Sequence, residues 1–251
     1  MENLQQPIVE QPQISSFFDR TTNIFTSPET LYTEVATAPV QSSSWSVPFI
    51  LSLLLAVLST IAVLSNASLK EQALAPQRQA LQERVDKGEM TQDQMDQATA
   101  ITESSTITMI FGSISAIVMV AVGTFGGALV FWLAWKLIFK MQAGYKKVLE
   151  VYGLAMLIGI LGSIVTILMM FLFDSLYASP GGALLVMNNF NRHNFGHMML
   201  ASFNIFSIWQ MSVIGIGLAK VSGKSQGSSI GLAFGLWIVW IIILSVIGGL
   251  R

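Results

Sequence analysis

The residues able to do chemistry are few and scattered. His193 and His197 stand four apart, so on a helix both imidazoles would face one metal ion. Two histidines do not complete a zinc site, no HExxH pattern surrounds them, and Asp174 joins them only if its loop folds back. Gly223-Lys224-Ser225 imitates the end of a phosphate-binding loop, but the glycine required five positions before Gly223 is Leu218. A serine nucleophile on a strand-to-helix elbow needs G-x-S-x-G, and neither Gly112-Ser113 nor Gly162-Ser163 has it. The chain has no cysteine, which removes disulfides, thiolate metal sites and thiol catalysis. The expectation is a non-enzymatic protein with no catalytic residues and no cofactor, His193 and His197 being the one weak metal candidate.

Polar residues inside otherwise apolar runs are the next candidates. Asn204, Ser207 and Gln210 make the run 197–219 the most polar of five, with His197, Asn204 and Met211 at seven-residue steps near one face. Polar side chains in lipid turn to the bundle interior, where they either hydrogen-bond between helices or line a substrate path. No run carries an internal acid, which speaks against proton or cation coupling. Gly227, Gly231 and Gly235 recur every four residues on one helix face, and Gly123 and Gly127 repeat the spacing. Small residues let helices approach closely in lipid, so these faces are packing surfaces, within the bundle or between copies.

The elements that must position these residues are membrane helices. Only 11% of residues are charged and 53% are hydrophobic, and mean hydropathy is +0.63. Soluble monomers rarely expose so much apolar surface, and lipid removes the difficulty. Five stretches lack Asp, Glu, Lys and Arg and predict spans at about 47–66, 107–135, 151–173, 197–219 and 228–250. The second exceeds a straight crossing, so it tilts, bends near Gly123, Gly126 and Gly127, or runs on past Lys136. Lys136, Lys140, Lys146 and Lys147 between spans two and three, and Lys220 and Lys224 between spans four and five, put these loops and the N-terminus in the cytoplasm and the C-terminus outside. The net charge of −1 argues against a dedicated nucleic-acid binder.

Three further regions flank the spans. Residues 1–13 form a polar tail without the basic and apolar regions of a secretory signal. Residues 14–46 carry apolar and aromatic side chains at roughly helical spacing, with Ser27-Pro28-Glu29 reading as a helix start. Phe17, Phe18, Ile24, Phe25, Leu31, Tyr32 and Trp45 would meet the headgroup region there, or pack on the cytoplasmic face of the bundle. The polar insert 67–106 reads as one or two solvated helices broken at Ala75-Pro76, with Asn66-Ala67-Ser68 a sequon placed too close to the membrane to use.

Asn23-Ile24-Phe25-Thr26-Ser27-Pro28, a short acidic helix, and Trp45-x-x-Pro48 at the start of span one form a familiar order. Gly144-Tyr145-Lys146-Lys147-Val148-Leu149 leading to Tyr152-Gly153-Leu154-Ala155 continues it. So do Asn204-Ile205-Phe206-Ser207-Ile208-Trp209, Gly215-Ile216-Gly217-Leu218 and Lys224-Ser225. From about residue 15 the chain resembles the Yip-domain family, named for eukaryotic members that interact with Rab-type GTPases. The resemblance implies five spans, a cytoplasmic N-terminus, a C-terminus outside, and a part in organising membranes or membrane-protein assemblies. The short N-terminal tail and long insert depart from the eukaryotic form and suggest a prokaryotic member of the inner membrane. Its partners would be membrane lipids and, as a homo- or hetero-oligomer, other membrane proteins. Two other expectations stand beside this one: a transporter or lipid-moving protein using span four, and an accessory subunit docking through the insert.

Overall fold

A computed structural model describes residues 14–103 and 105–249. The polar tail 1–13 and the end of the chain at Leu250 and Arg251 lie outside them. Two short helices, α1 (Phe17–Thr26) and α2 (Pro28–Thr37), precede the bundle. Then come α3 (Ser43–Ser65), a hairpin of α4 (Ala67–Asp86) and α5 (Gln92–Glu103), α6 (Ser105–Ala121), α7 (Gly127–Phe139) and α8 (Tyr145–Leu172). The chain closes with α9 (Phe195–Ser202), α10 (Ile205–Ser222) and α11 (Gln226–Gly249). Among the described residues the only extended pairing is an isolated antiparallel bridge between Gly181 and Asn204. Ser43–Ser65, Thr106–Phe139, Tyr145–Leu172, Ile205–Ser222 and Gln226–Val246 are long and apolar enough to cross a membrane, which gives the expected all-α, five-span protein. Leu58, Phe111, Met119 and Leu168 are each more than 60% exposed, an outer surface suited to lipid and not to water.

The second span is longer than its charge-free run and is interrupted where its glycines cluster. Val122–Gly126 is a π-helical turn joining α6 to α7, and the helix continues past Lys136 to Phe139. A π-turn disturbs the i→i−4 ladder and leaves carbonyls in need of donors. Two tyrosines from α8 supply them: the Tyr152 hydroxyl donates to the Gly123 carbonyl at 3.2 Å, and the Tyr145 hydroxyl to the Phe125 carbonyl at 2.9 Å. A Cβ on Gly127 would lie 2.6 Å from the Tyr152 hydroxyl oxygen, so that glycine makes room for the donor. The turn also redirects the span: α7 packs on α8, whereas α6 packs on α3.

The fourth span starts at Ile205 and not at His197. The Phe203 carbonyl accepts from Gly182 N–H at 2.9 Å, and Ile205 N–H donates to the Pro180 carbonyl at 3.1 Å, so loop backbone replaces the helical bonds there. Gly181 and Gly182 permit the approach, since a Cβ on either would collide with the carbonyl of Phe203 or Leu200. Asn204 is the N-cap of α10, its side-chain oxygen accepting from Phe206 N–H at 2.8 Å. The seven-residue face of His197, Asn204 and Met211 is therefore divided between two helices.

Pro76 does not break the insert. It sits inside α4, which loses only the bond a residue-76 N–H would make. Asn66, the asparagine of the sequon, caps α4 by accepting from Leu69 N–H at 3.0 Å. Gln72 ties α4 to the loop after α8, donating to the Asp174 carbonyl at 2.9 Å and accepting from Leu176 N–H at 3.0 Å. Leu69 and Leu74 are buried below it. The insert thus leans on the bundle along its first turns before projecting away.

At the centre lies α8, packed on α3, α7 and α10, with α11 against α10 and α9. Gly153 lets α8 meet α3, where a Cβ would strike the Trp45 backbone. Gly215 admits the backbone of Ile230 on α11, and Gly217 admits the ring of Tyr32. These glycines, and not those at four-residue spacing in α11, allow the close approaches inside the bundle. A Cβ on Gly227, Gly231 or Gly235 would meet nothing within 4 Å, and neither would one on Gly123.

Candidate functional site

Two polar regions sit at different levels of the bundle. The first fastens α1 and α2 over the bundle end that also carries the α7–α8 and α10–α11 connections. Arg20 lies one helical turn before Ile24 on α1, and both are buried. Its guanidinium donates to the Ser44 hydroxyl at 2.8 Å and to the Ser15 carbonyl at 3.1 and 2.9 Å. It also lies 3.8 Å from the carboxylate of Glu150 and 3.7 Å from that of Glu34. Glu150, only 1% exposed, accepts from Lys147 at 2.7 Å and from Gln41 N–H at 3.0 Å. Lys147 reaches onward to the carbonyls of Val35 and Ala38 at 2.8 and 3.0 Å, which end α2. At the rim, Lys220 pairs with Glu29 at 2.8 Å.

An apolar layer lies beneath this network. Ile24, Leu31, Tyr32 and Val35 are buried in one core with Val148, Val151, Leu154, Ile214 and Leu218. The Tyr32 hydroxyl donates to the Val151 carbonyl at 2.9 Å. Burial first, then the Glu150 carboxylate, push this phenol well above its ordinary pKa, so it stays a donor. The expected headgroup contact of Ile24, Leu31 and Tyr32 therefore gives way to the alternative, packing on the bundle, because these side chains fill a groove between α8 and α10. Phe17, Phe25 and Trp45 are half-buried, Phe25 edge-on to Trp209 and Trp45 edge-on to Phe125. Phe18, 77% exposed, is the aromatic of this group that faces outward.

The second polar region is a cleft of about 1060 Å³ walled by α3, α6, α8 and α10. Its inner end is the π-turn, at Gly123, Thr124 and Tyr152, and its other end lies beneath Ala73, Leu74 and Ile101 of the hairpin. The opening follows from the redirected second span: α3 packs on both α6 and α8, α8 packs on α10, and no comparable packing joins α6 to α10. No charged side chain among the described residues lines it. Ser59, Thr60 and Ser163 turn their hydroxyls to helix carbonyls four residues back, at 2.5, 2.9 and 2.9 Å. Asn204 is occupied as a cap. Ser207 and Gln210, both half-buried in the wall, have no hydrogen-bond partner among the described residues.

The structure thus brings Asn204, Ser207 and Gln210 to one cleft and puts the two histidines on different elements. His193 lies in the loop before Asn194, the N-cap of α9, whereas His197 is on α9 with its Nδ1 accepting from Asn191 N–H at 3.1 Å. Among the described residues no three acidic or histidine side chains gather as a metal site. The sequence reading missed Arg20, Glu34 and Glu150 as partners. The signal available was the spacing of Arg20 and Ile24 on one helical face, together with the position of Glu150 directly against an apolar run.

The helices define an integral membrane protein built around a five-span bundle with its N-terminal segment folded onto one end. The family model for the Yip1 domain matches residues 22–247, and the chain belongs to that family. The match includes Ile24 of the buried layer and reaches into α11. No curated protein and no solved structure matches the chain.

Proposed function

We infer that this chain is a non-enzymatic membrane protein that takes an amphipathic membrane molecule into the cleft between α3, α6, α8 and α10. Ser207 and Gln210 carry the reading: they place hydrogen-bonding groups at membrane depth with no partner among the described residues, where an unpaired polar group costs several kcal/mol in hydrocarbon. Such a cost is offset when a ligand or water pairs with them. The cleft volume lies just above the range, about 300–1000 Å³, usual for small-molecule sites. The α1–α2 segment and the lysine-bearing connections sit at one end, which supports a cytoplasmic N-terminal segment and an extracytoplasmic hairpin in an inner membrane.

The test is to fill the cleft. Ala56→Trp puts an indole into the wall of α3. Purified wild-type protein in nanodiscs is expected to retain a stoichiometric amphiphile through delipidation, and the variant to lose it with its helical content intact. Wild-type protein that retains nothing, and shows no flux in proteoliposomes, would sink the reading.

A second reading, organisation of membrane assemblies by self-association, is favoured by the glycine face of α11. Gly227, Gly231 and Gly235 are exposed and make no close approach within the chain, as a surface that receives a second helix would require. Gly231→Leu is expected to abolish a crosslinked dimer without changing monomer stability. A monomer for wild type in native lipid removes that reading.

A further inference from the structure

We propose that the occupant of the cleft is an uncharged amphiphile, a hydrocarbon chain carrying a hydroxyl or carbonyl group, that places this group against Gln210 and Ser207. The proposal rests on the reading of the cleft as a binding site and names the class of its ligand.

Charge decides the class. Among the described residues the lining of the cleft has no Lys, Arg or His, and no Asp or Glu. The Arg20, Glu150 and Lys147 charges pair with one another at the end of the bundle beyond the π-turn, and the Lys147 ammonium is fixed by three oxygens. A phosphate drawn into the cleft would therefore lose its hydration and gain no counter-charge, which costs far more than neutral donors can return. A hydroxyl or carbonyl has no such cost.

The donors and acceptors present match that group. Gln210 offers an amide N–H pair and a carbonyl oxygen, and Ser207 one hydroxyl, so an alcohol or ester can be held as donor, acceptor or both. Local structure keeps these groups available. The residue four back from Ser207 is Phe203, which lies outside α10 with its carbonyl accepting from Gly182 N–H. Ser207 is thereby denied the helical acceptor that Ser59, Thr60 and Ser163 use. Gln210 is held toward α8 by the absence of a side chain at Gly159, where a Cβ would lie 2.9 Å from its carboxamide oxygen. Leu55, Val63, Leu64, Phe111, Ile160 and Ile167 give the wall apolar surface for the hydrocarbon chain, interspersed with further hydroxyls such as those of Ser52, Ser115 and Thr166.

The experiment uses the full chain in nanodiscs with two photoreactive probes sharing the same acyl chains, a diacylglycerol and the corresponding phosphatidic acid. The diacylglycerol is expected to label α8 and α10 saturably, and the phosphatidic acid at least tenfold less at equal mole fraction. In Gln210→Leu, and independently in Ser207→Ala, diacylglycerol labelling is expected to fall about tenfold or by a few-fold, as loss of one hydrogen bond implies. A Gln210→Asn variant, which keeps the carboxamide, should recover part of it. The Ser207→Ala arm carries the result if Gln210→Leu lowers the melting temperature. Equal or stronger labelling by phosphatidic acid overturns the proposal and leaves the cleft a binding site. Diacylglycerol labelling that both variants leave unchanged also overturns it. No saturable labelling by either probe removes the underlying reading as well.

Discussion

At the N-terminal end of the bundle, Arg20, Ser44 and Glu150 leave solvent with their partners in place. In the cleft, Ser207 and Gln210 leave bulk water with none among the described residues. Charge separates the two regions, since the first is built of ion pairs and the described lining of the second has none, and their surroundings separate them further. The first network is closed over by α1 and α2, so every charge within it has to be met by protein. The second faces a volume that the π-turn keeps open, so its groups can be met from outside. A polar residue at membrane depth is thus informative about function only when the packing around it is known.

Breaking the closed network should have the largest effect. Glu150→Ala leaves Arg20 and Lys147 without the carboxylate they share, and removing one member of a buried pair costs about 3–5 kcal/mol. A fall in thermal stability of roughly ten degrees, read by helical signal in detergent, is expected from about 2–4 °C per kcal/mol at this chain length. An unchanged melting temperature would show that the network is not closed and would erase the contrast with the cleft.

The glycines sharpen the comparison at intermediate size. Gly153→Val drives a side chain into the Trp45 backbone and the Ser44 carbonyl, and overpacking of this kind costs about 1–3 kcal/mol. Gly231→Val meets open space and should leave the melting temperature where it is. If the two variants behave alike, the division between inner and outer glycines is wrong. Smaller still is Tyr152→Phe, which removes the donor to the Gly123 carbonyl and should cost about 1 kcal/mol. Because that hydroxyl borders the cleft, the variant also tests whether the π-turn sets the cleft's inner end.

The difference between the regions explains what could be read in advance. The five spans were legible because lipid imposes length and apolarity on each independently of the others. The bend of span two was legible in Gly123, Gly126 and Gly127, since few other residues relax a helix there. The start of span four was not. Its position depends on Gly181 and Gly182 bringing a loop against Phe203, a contact between segments about twenty residues apart. The four-residue glycine repeat pointed to a packing face in α11, but periodicity does not say which side of a helix the bundle occupies. Gly215 and Gly217, which carry the close approaches, lie two apart and belong to contacts with different partners. Arg20 and Glu150 are distant in sequence, and only the fold of α1 onto α8 makes them neighbours.

The smallest expected effect on stability belongs to the residue of greatest functional interest. Gln210→Leu replaces a carboxamide that has no partner among the described residues with an apolar side chain of similar size. In a closed core such a change would strand a partner and destabilise. Here no described residue is a partner to strand, and the lost desolvation cost makes the variant neutral or slightly more stable. The measurement is a melting curve for delipidated protein beside one in the presence of added diacylglycerol. Without ligand, the variant should match or exceed wild type; with it, wild type alone should gain stability, because a ligand that binds only the folded state raises it by mass action. A variant that melts several degrees lower when delipidated would mean that Gln210 is a structural partner after all, and the cleft would then resemble the N-terminal network it is contrasted with.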